Sequence, residues 1–179
     1  RKYQFGPKKG QMFNVEILTS VMLDVEFYNE SIIQGFISFD VENHGRNHME
    51  LFGTKGSMIV PDPNMFGGPV MISNELGSEW KEHSVEDRYL GKTNITNNST
   101  GRSNEASKQA NYRGAGLAEM IYAIENNLEH RCNGNLALHV LDLIESTIKS
   151  AENGKEISLK TTCKKPEKFT EEQIKILLN

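Results

Sequence analysis

The chain has 179 residues, a typical length for one domain, and its 37% hydrophobic content is enough for a core, which argues against global disorder. The formal net charge of −4 argues against nucleic-acid binding, since phosphate neutralisation needs an excess of Lys and Arg. No apolar run reaches the ~20 residues that a membrane-spanning helix needs.

The chain begins at Arg1, with neither an initiating methionine nor a signal-peptide pattern. We therefore expect a piece of a longer cytoplasmic protein. The two cysteines, Cys132 and Cys163, lack metal-ligand spacing, which favours free thiols in a reducing compartment and no metal site.

The first half of the chain has the alternation typical of strands. In 21–28, Val21, Leu23, Val25 and Phe27 alternate with other side chains, which predicts a strand with one face toward the core. Residues 33–41 are apolar on both faces, which predicts a strand covered on both sides by helices or by another subunit. Further strands are predicted at 12–18, 48–52, 57–60, 70–73 and 80–85, with a glycine-containing hairpin turn at 53–56.

The second half of the chain is helical in pattern. A polar loop, 86–112, precedes apolar residues at helical spacing over 117–128 and again over 136–151. Gly154 predicts the C-terminal end of the second helix, and 156–159 predicts an edge strand. Thr170 and Gln173 have capping-box spacing, which predicts a short C-terminal helix. Strands followed by helices predict an α+β fold: one large, mostly antiparallel sheet with helices packed on one face.

The chemistry-bearing residues do not form a recognisable catalytic motif. Gly114 and Gly116 lack the preceding strand and the third glycine of a dinucleotide-binding loop, so they predict a flexible start to a helix. His44, Arg46 and His48 lie together at a strand end, either as an ordinary polar turn or as a site for an anionic or polyhydroxylated ligand. His139 and Asp142 are three apart on a helix, which favours a surface hydrogen bond. Asp62 and Asn64 flank Pro63 and are predicted to satisfy their own turn.

Several stretches, in order along nearly the whole chain, resemble the Gfo/Idh/MocA family of oxidoreductases, the relatives of glucose–fructose oxidoreductase and inositol dehydrogenase. They are GPKKGQMFNVE near the start, IIQGFISFDV, MELFGTKGSMIVPDPNMFGGPV at 49–70, RGAGLAEMIYAI together with LALHVLDLIESTIKSAENGKEISL, and TTCKKP. The resemblance implies an enzyme that transfers hydride between NAD or NADP and a sugar, inositol or related polyol. It identifies residues 1–179 as the C-terminal substrate and oligomerisation domain only.

The family's N-terminal Rossmann domain, its phosphate-binding loop and its Glu-Lys-Pro lysine are not in this sequence. The resemblance therefore implies no catalytic and no cofactor-binding residue here, and an isolated chain that is inactive in hydride transfer. It also implies a homo-oligomer formed through the sheet face.

Four polar residues in or beside loops are the candidates for substrate contact: His44, Arg46, Tyr89 and Arg113. At the tip of 61–68, Phe66 and Met65 are expected to be covered by an oligomer partner or by the missing domain. The alternative to the enzyme is a stand-alone module that dimerises or binds a carbohydrate without catalysis.

Overall fold

The computed structural model describes residues 1–41, 43–64, 66–85, 90–92, 110 and 112–178. They belong to two compact units, Arg1–Gly45 and Arg46–Asn179. The described residues form two antiparallel sheets and three helices, so the α+β prediction is confirmed at that level. They do not show the single large sheet that was predicted, because their strands are divided between a two-stranded and a four-stranded sheet. No described helix is both long enough and apolar enough to cross a membrane.

The first unit contains an antiparallel hairpin of β1 (Ser20–Glu26) and β2 (Ile32–Ser38). Leu23 lies opposite Gly35, and a Cβ added at Gly35 would be 2.6 Å from Leu23 Cδ2. The absence of a side chain at Gly35 therefore makes room for Leu23. The strands predicted at 21–28 and 33–41 are confirmed with shorter bounds. The predicted cover of the second strand is not seen within the structure, since Phe36 and Ile37 are more than half exposed.

The turn between β1 and β2 depends on local hydrogen bonds. The side-chain oxygen of Asn29 accepts from the backbone N–H and the hydroxyl of Ser31, at 3.2 and 2.7 Å. Glu30 has φ of 65°, which is the left-handed conformation that such a turn requires.

The strand predicted at 12–18 is wrong. In the described chain this segment has a single bridge, between Lys2 and Met12, and the Tyr3 and Phe13 rings lie 4.7 Å apart. The segment has the apolar residues of a strand, but no described strand supplies a ladder of hydrogen bonds for it.

The second unit begins with a four-stranded meander in which neighbours in sequence are neighbours in the sheet. Its strands are β3 (Met49–Gly53), β4 (Gly56–Val60), β5 (Val70–Ser73) and β6 (Lys81–His83). The hairpin predicted around 53–56 is confirmed by the pairing of Gly53 with Gly56, whose φ is 139°. Only glycine adopts that φ without strain.

Three described helices follow: α1 (Ala115–Glu125), α2 (Gly134–Asn153) and α3 (Glu171–Leu178). Asn133 caps α2 by accepting from Leu136 N, and Gly154 ends it with φ of 61°, as its position predicted. The capping box of α3 is confirmed, because Gln173 N donates to Thr170 Oγ1 and Thr170 N donates to Gln173 Oε1.

The edge strand predicted at 156–159 is wrong. This segment has no strand pairing in the described chain; beside it, the backbone N–H groups of Lys160 and Thr161 donate to the Asp142 carboxylate on α2. The backbone N–H groups of Lys160 and Thr161 are therefore bonded to the Asp142 side chain and cannot pair with a neighbouring strand.

Few described side chains are fully buried. Those with less than 9% exposure are Ala110, Ala123, Glu119 and Ser146. Apolar residues of the helices remain about half exposed, including Leu117, Ile121 and Ile124 on α1 and Leu141 and Ile144 on α2. Three of the four buried residues, Ala110, Glu119 and Ala123, lie on α1 or shortly before it, so this is the best-buried part of the second unit.

Candidate functional site

The candidate site is a loop cluster at the end of β4, here called the PDPN corner. It consists of the described residues of 61–68, with Gly91, Lys92, Ala110, Tyr112 and Arg113. β4 ends at Val60, immediately before Pro61. Since proline has no backbone N–H to donate to a sheet, Pro61 and Pro63 end the strand and stiffen the chain beyond it.

The turn at the corner is held by its own side chain. Asn64 N donates to Asp62 Oδ1 at 2.9 Å across Pro63. This bond confirms the prediction that the polar residues flanking Pro63 satisfy a local turn. It also fixes the direction in which the Asn64 carbonyl and side chain are presented.

Phe66 is partly covered by the chain itself. It forms an isolated bridge with Ala110, and its ring meets the Tyr112 ring edge-on, with centroids 5.9 Å apart and an interplanar angle of 78°. Its exposure is intermediate. Residues just before α1 therefore cover part of Phe66 without a partner, whereas cover of the remainder by a partner or another domain stays a prediction. Met65, predicted to be exposed beside it, lies outside the described residues.

The glycines of the corner allow backbones to approach closely. Gly67 and Gly68 have φ of 78° and 102°. A Cβ at Gly67 would lie 2.7 Å from the Gly91 carbonyl oxygen, and one at Gly91 would lie 2.1 Å from the Val85 carbonyl oxygen. Larger side chains at Gly67 and Gly91 would push these segments apart.

Arg113 joins the corner to the start of α1. Its Nη2 donates to the Asn64 carbonyl at 3.1 Å and to Asn64 Oδ1 at 3.4 Å. The neighbouring Tyr112 donates its hydroxyl to the Lys92 carbonyl at 2.9 Å. Arg113 is exposed beside Gly114, the N-cap of α1.

The four residues predicted to contact substrate do not form one described cluster. His44 belongs to the first unit and Arg46 to the second, and both have interaction partners. Tyr89 lies outside the described residues. Arg113 is the candidate whose contacts with described residues build it into a defined site. Sequence reasoning missed Asn64 and Tyr112 as its companions; Asn64 lies in the family-like stretch 49–70, and Tyr112 directly precedes the one that begins at Arg113.

A second polar cluster lies on α1, away from the corner. The Glu119 side chain is 6% exposed and pairs with Arg131, with Nη1 to Oε1 at 2.9 Å. Arg131 also donates to the carbonyls of Glu167 and Lys168 and to Gln173 Oε1. Its guanidinium lies 4.0 Å from the centroid of the Phe169 ring. These contacts fasten the C-terminal segment to α1, which is a structural role.

Asp142 forms a third cluster on α2. Its Oδ2 accepts from Thr161 Oγ1 and Thr161 N, both at 2.9 Å, and from Lys160 N at 2.7 Å. Desolvation raises the pKa of Asp142, but the hydrogen bonds from Thr161, Lys160 and Ser146 outweigh it and bring the pKa below its ordinary value. His139 Nδ1 contacts Thr161 Oγ1 at 3.0 Å, so the predicted His139–Asp142 contact is replaced by one through Thr161.

The described part of the chain also has clefts outside these clusters. One in the first unit has a volume of about 460 Å³ and is lined by Arg1, Phe13 and Asp40 among others. Arg1 and Asp40 already form an ion pair there. A cleft of about 60 Å³ in the second unit is lined by His130, Lys164 and Lys165, with Glu129 opposing their charge. Within the described residues, no three His, Cys, Asp or Glu side chains come together as a metal site would require.

Comparison of the chain with protein-family models, with curated proteins and with solved structures found no match.

Proposed function

We propose that this chain is the substrate-binding and oligomerisation domain of an NAD(P)-dependent oxidoreductase of the Gfo/Idh/MocA type, acting on a sugar, inositol or related polyol. In this proposal a separate Rossmann domain binds NAD or NADP, and this chain contributes no catalytic residue. The enzyme would work in the cytoplasm.

One observation carries the proposal. The two longest family-like stretches, at 49–70 and from Arg113 onward, meet at the PDPN corner through the Arg113–Asn64 hydrogen bonds. The aromatic contact between Phe66 and Tyr112, the residue just before the second stretch, lies beside these hydrogen bonds. Family-like stretches that are far apart in sequence thus contribute to the same corner. The corner has hydrogen-bond donors, acceptors and an aromatic ring, which are the groups that polyol recognition uses.

The proposed architecture extends the observed one. In the complete protein, the strands would belong to a single large sheet with helices on one face, and the other face would pair between subunits. Exposed apolar side chains support such pairing: Phe52 is 76% exposed on β3, and Met22 is 81% exposed on β1. Exposed apolar surface of this kind is typical of an interaction face.

The test uses the complete gene product that contains these residues. Formation of NADH or NADPH is followed with a panel of polyols, and His44, Arg46, Tyr89 and Arg113 are substituted singly. Since these residues are proposed to bind substrate, each substitution should raise KM for the polyol and leave KM for the cofactor unchanged. Lys81→Gln on β6, outside the corner, is the matched control.

Two results would remove the proposal. If all four variants keep the substrate KM and turnover of the parent, the named residues do not contact substrate. If the gene product transfers no hydride with any polyol but is a dimer in sedimentation, the stand-alone dimerisation or carbohydrate-binding module is the better description.

A further inference from the structure

We propose that the Glu119–Arg131 ion pair positions Arg113 in the PDPN corner and thereby affects substrate binding without touching the substrate. This inference rests on the proposed function, because it concerns how the same site is held in shape. It makes Glu119 and Arg131 positioning residues, in addition to their role in fastening the C-terminal segment.

The argument starts from the way the backbone of Arg113 enters α1. The carbonyl of the preceding residue, Tyr112, accepts from Ala115 N at 2.8 Å. The carbonyl of the following residue, Gly114, accepts from Ala118 N at 3.0 Å, and Gly114 has helical dihedral angles, with φ of −73° and ψ of −17°. Arg113 is thus built into the first turn of the helix, and a shift of α1 moves Arg113 with it.

Apolar packing leaves much of α1 uncovered. Leu117, Ile121 and Ile124 are about half exposed, so they contribute little to fixing the position of the helix. The buried residues of α1 are Glu119 and Ala123, which are one turn apart on the same face. The contacts of the Glu119 carboxylate are therefore a main constraint on where α1 lies.

Arg131 holds that carboxylate from two directions. Its Nη1 donates to Glu119 Oε1 at 2.9 Å, and its backbone N–H lies 3.2 and 3.3 Å from the two carboxylate oxygens. The other guanidinium nitrogens donate to the carbonyls of Glu167 and Lys168 and to Gln173 Oε1 on α3. Charge-assisted hydrogen bonds from a planar guanidinium are strong and directional, so Arg131 fixes α1 against the C-terminal segment.

The ion pair is close enough to the corner to act through the helix. Arg113 precedes Glu119 by a stretch that spans about 9 Å at 1.5 Å per residue. The guanidinium of Arg113 donates to Asn64 at 3.1 and 3.4 Å, and such bonds weaken steeply when the two groups move apart. A displacement of α1 by about 1 Å would therefore change the contact that defines the corner.

The experiment uses the complete gene product and measures kcat and KM for the polyol and for the cofactor. The variants are Arg131→Ala, Arg131→Lys, Arg113→Gln and the double variant of Arg131→Ala with Arg113→Gln. Asp142→Asn is the matched control, because it loosens the C-terminal segment from α2 and not from α1. Hydrogen exchange followed by mass spectrometry reports on peptides that cover 61–68 and 112–118, and circular dichroism confirms that each variant is folded.

Arg131→Ala should raise KM for the polyol by about 3- to 30-fold and leave KM for the cofactor unchanged. Arg131→Lys should raise it less, because the ammonium still pairs with Glu119. In the double variant, Arg131→Ala should add nothing to the effect of Arg113→Gln, since Arg131 acts through Arg113. Exchange should be faster over 61–68 and 112–118 in Arg131→Ala, whereas Asp142→Asn should match the parent in KM and in exchange there.

Two kinds of result overturn the inference, and they differ in what they leave standing. If Arg113→Gln raises KM for the polyol but the effect of Arg131→Ala simply adds to it, or a folded Arg131→Ala variant exchanges like the parent over 61–68, the positioning role is removed and the proposed function stands. If Arg113→Gln leaves KM for the polyol unchanged, or no polyol is turned over, the inference and the substrate-binding role of the corner both fall.

Discussion

Replacing Arg131 with alanine should destabilise the protein more than other substitutions of a charged side chain. The Glu119 carboxylate is 6% exposed and has Arg131 as its ion-pair partner, whereas the Arg131 side chain is 22% exposed. Removing one partner of a buried pair costs about 3–5 kcal/mol, because a charge is left without compensation. The backbone N–H of Arg131 still reaches Glu119 Oε1 at 3.2 Å, which retains part of the stabilisation.

The other contacts of Arg131 contribute less to the free energy of unfolding. The carbonyls of Glu167 and Lys168 are exposed and can bind water after the substitution. Loss of the guanidinium from the Phe169 ring costs about 0.5–1 kcal/mol at such a site. We therefore expect a loss of about 3 kcal/mol, which corresponds to a fall in Tm of roughly 6–12 °C for a chain of this size.

Urea denaturation followed by circular dichroism measures this loss. The double variant Arg131→Ala with Glu119→Gln supplies the control, because neutralising Glu119 removes the unpaired charge and should recover a part of the stability. Arg131→Lys should fall between the parent and the alanine variant, since it keeps the charge but not the fork of donors. A loss below about 1 kcal/mol, or no recovery in the double variant, would refute the buried-pair reasoning.

Three further predictions concern single features of the fold. Because the folded-state pKa of Asp142 is lowered, its ionised form stabilises the protein above the ordinary aspartate pKa of about 3.9, and this contribution disappears as pH falls through the folded value. Asp142→Asn should thus flatten the acid limb of a stability–pH curve, and an unchanged limb would contradict the assignment. Gly67→Ala and Gly91→Ala should each cost about 1–3 kcal/mol in urea titrations, since their Cβ atoms would overlap backbone oxygens. Gly114→Ala, with nothing within 4 Å of its Cβ, should change stability by less than ~0.5 kcal/mol. Gly35→Val should cost about 1–3 kcal/mol by crowding Leu23, and Leu23→Ala in that background should restore part of the loss; additive losses would disprove the contact.

Local signals in the sequence were sufficient for much of the secondary structure. The alternation at 21–28 predicted β1, and the helical spacing over 136–151 predicted α2 with its end at Gly154. The Thr170–Gln173 capping box likewise predicted the start of α3. Each of these features depends on residues that are neighbours in the chain.

The errors and omissions came from partners distant in sequence. Segment 12–18 has the apolar content of a strand, but a strand needs a ladder partner, and the described chain offers none. Arg113 and Asn64 are 49 residues apart, so no local pattern in the sequence predicts their contact. From the sequence, Glu119 would be expected on the surface of α1. It can be buried because Arg131, beyond the end of the helix, pairs with its carboxylate.

The most direct test of the central claim is the coding sequence that precedes Arg1. The proposal of an oxidoreductase substrate domain predicts that the reading frame continues upstream through a strand, a glycine-rich phosphate-binding loop and a Glu-Lys-Pro stretch. A start codon only a few residues before Arg1 would contradict it, since no cofactor-binding domain would then accompany this chain, and the non-catalytic module would take its place.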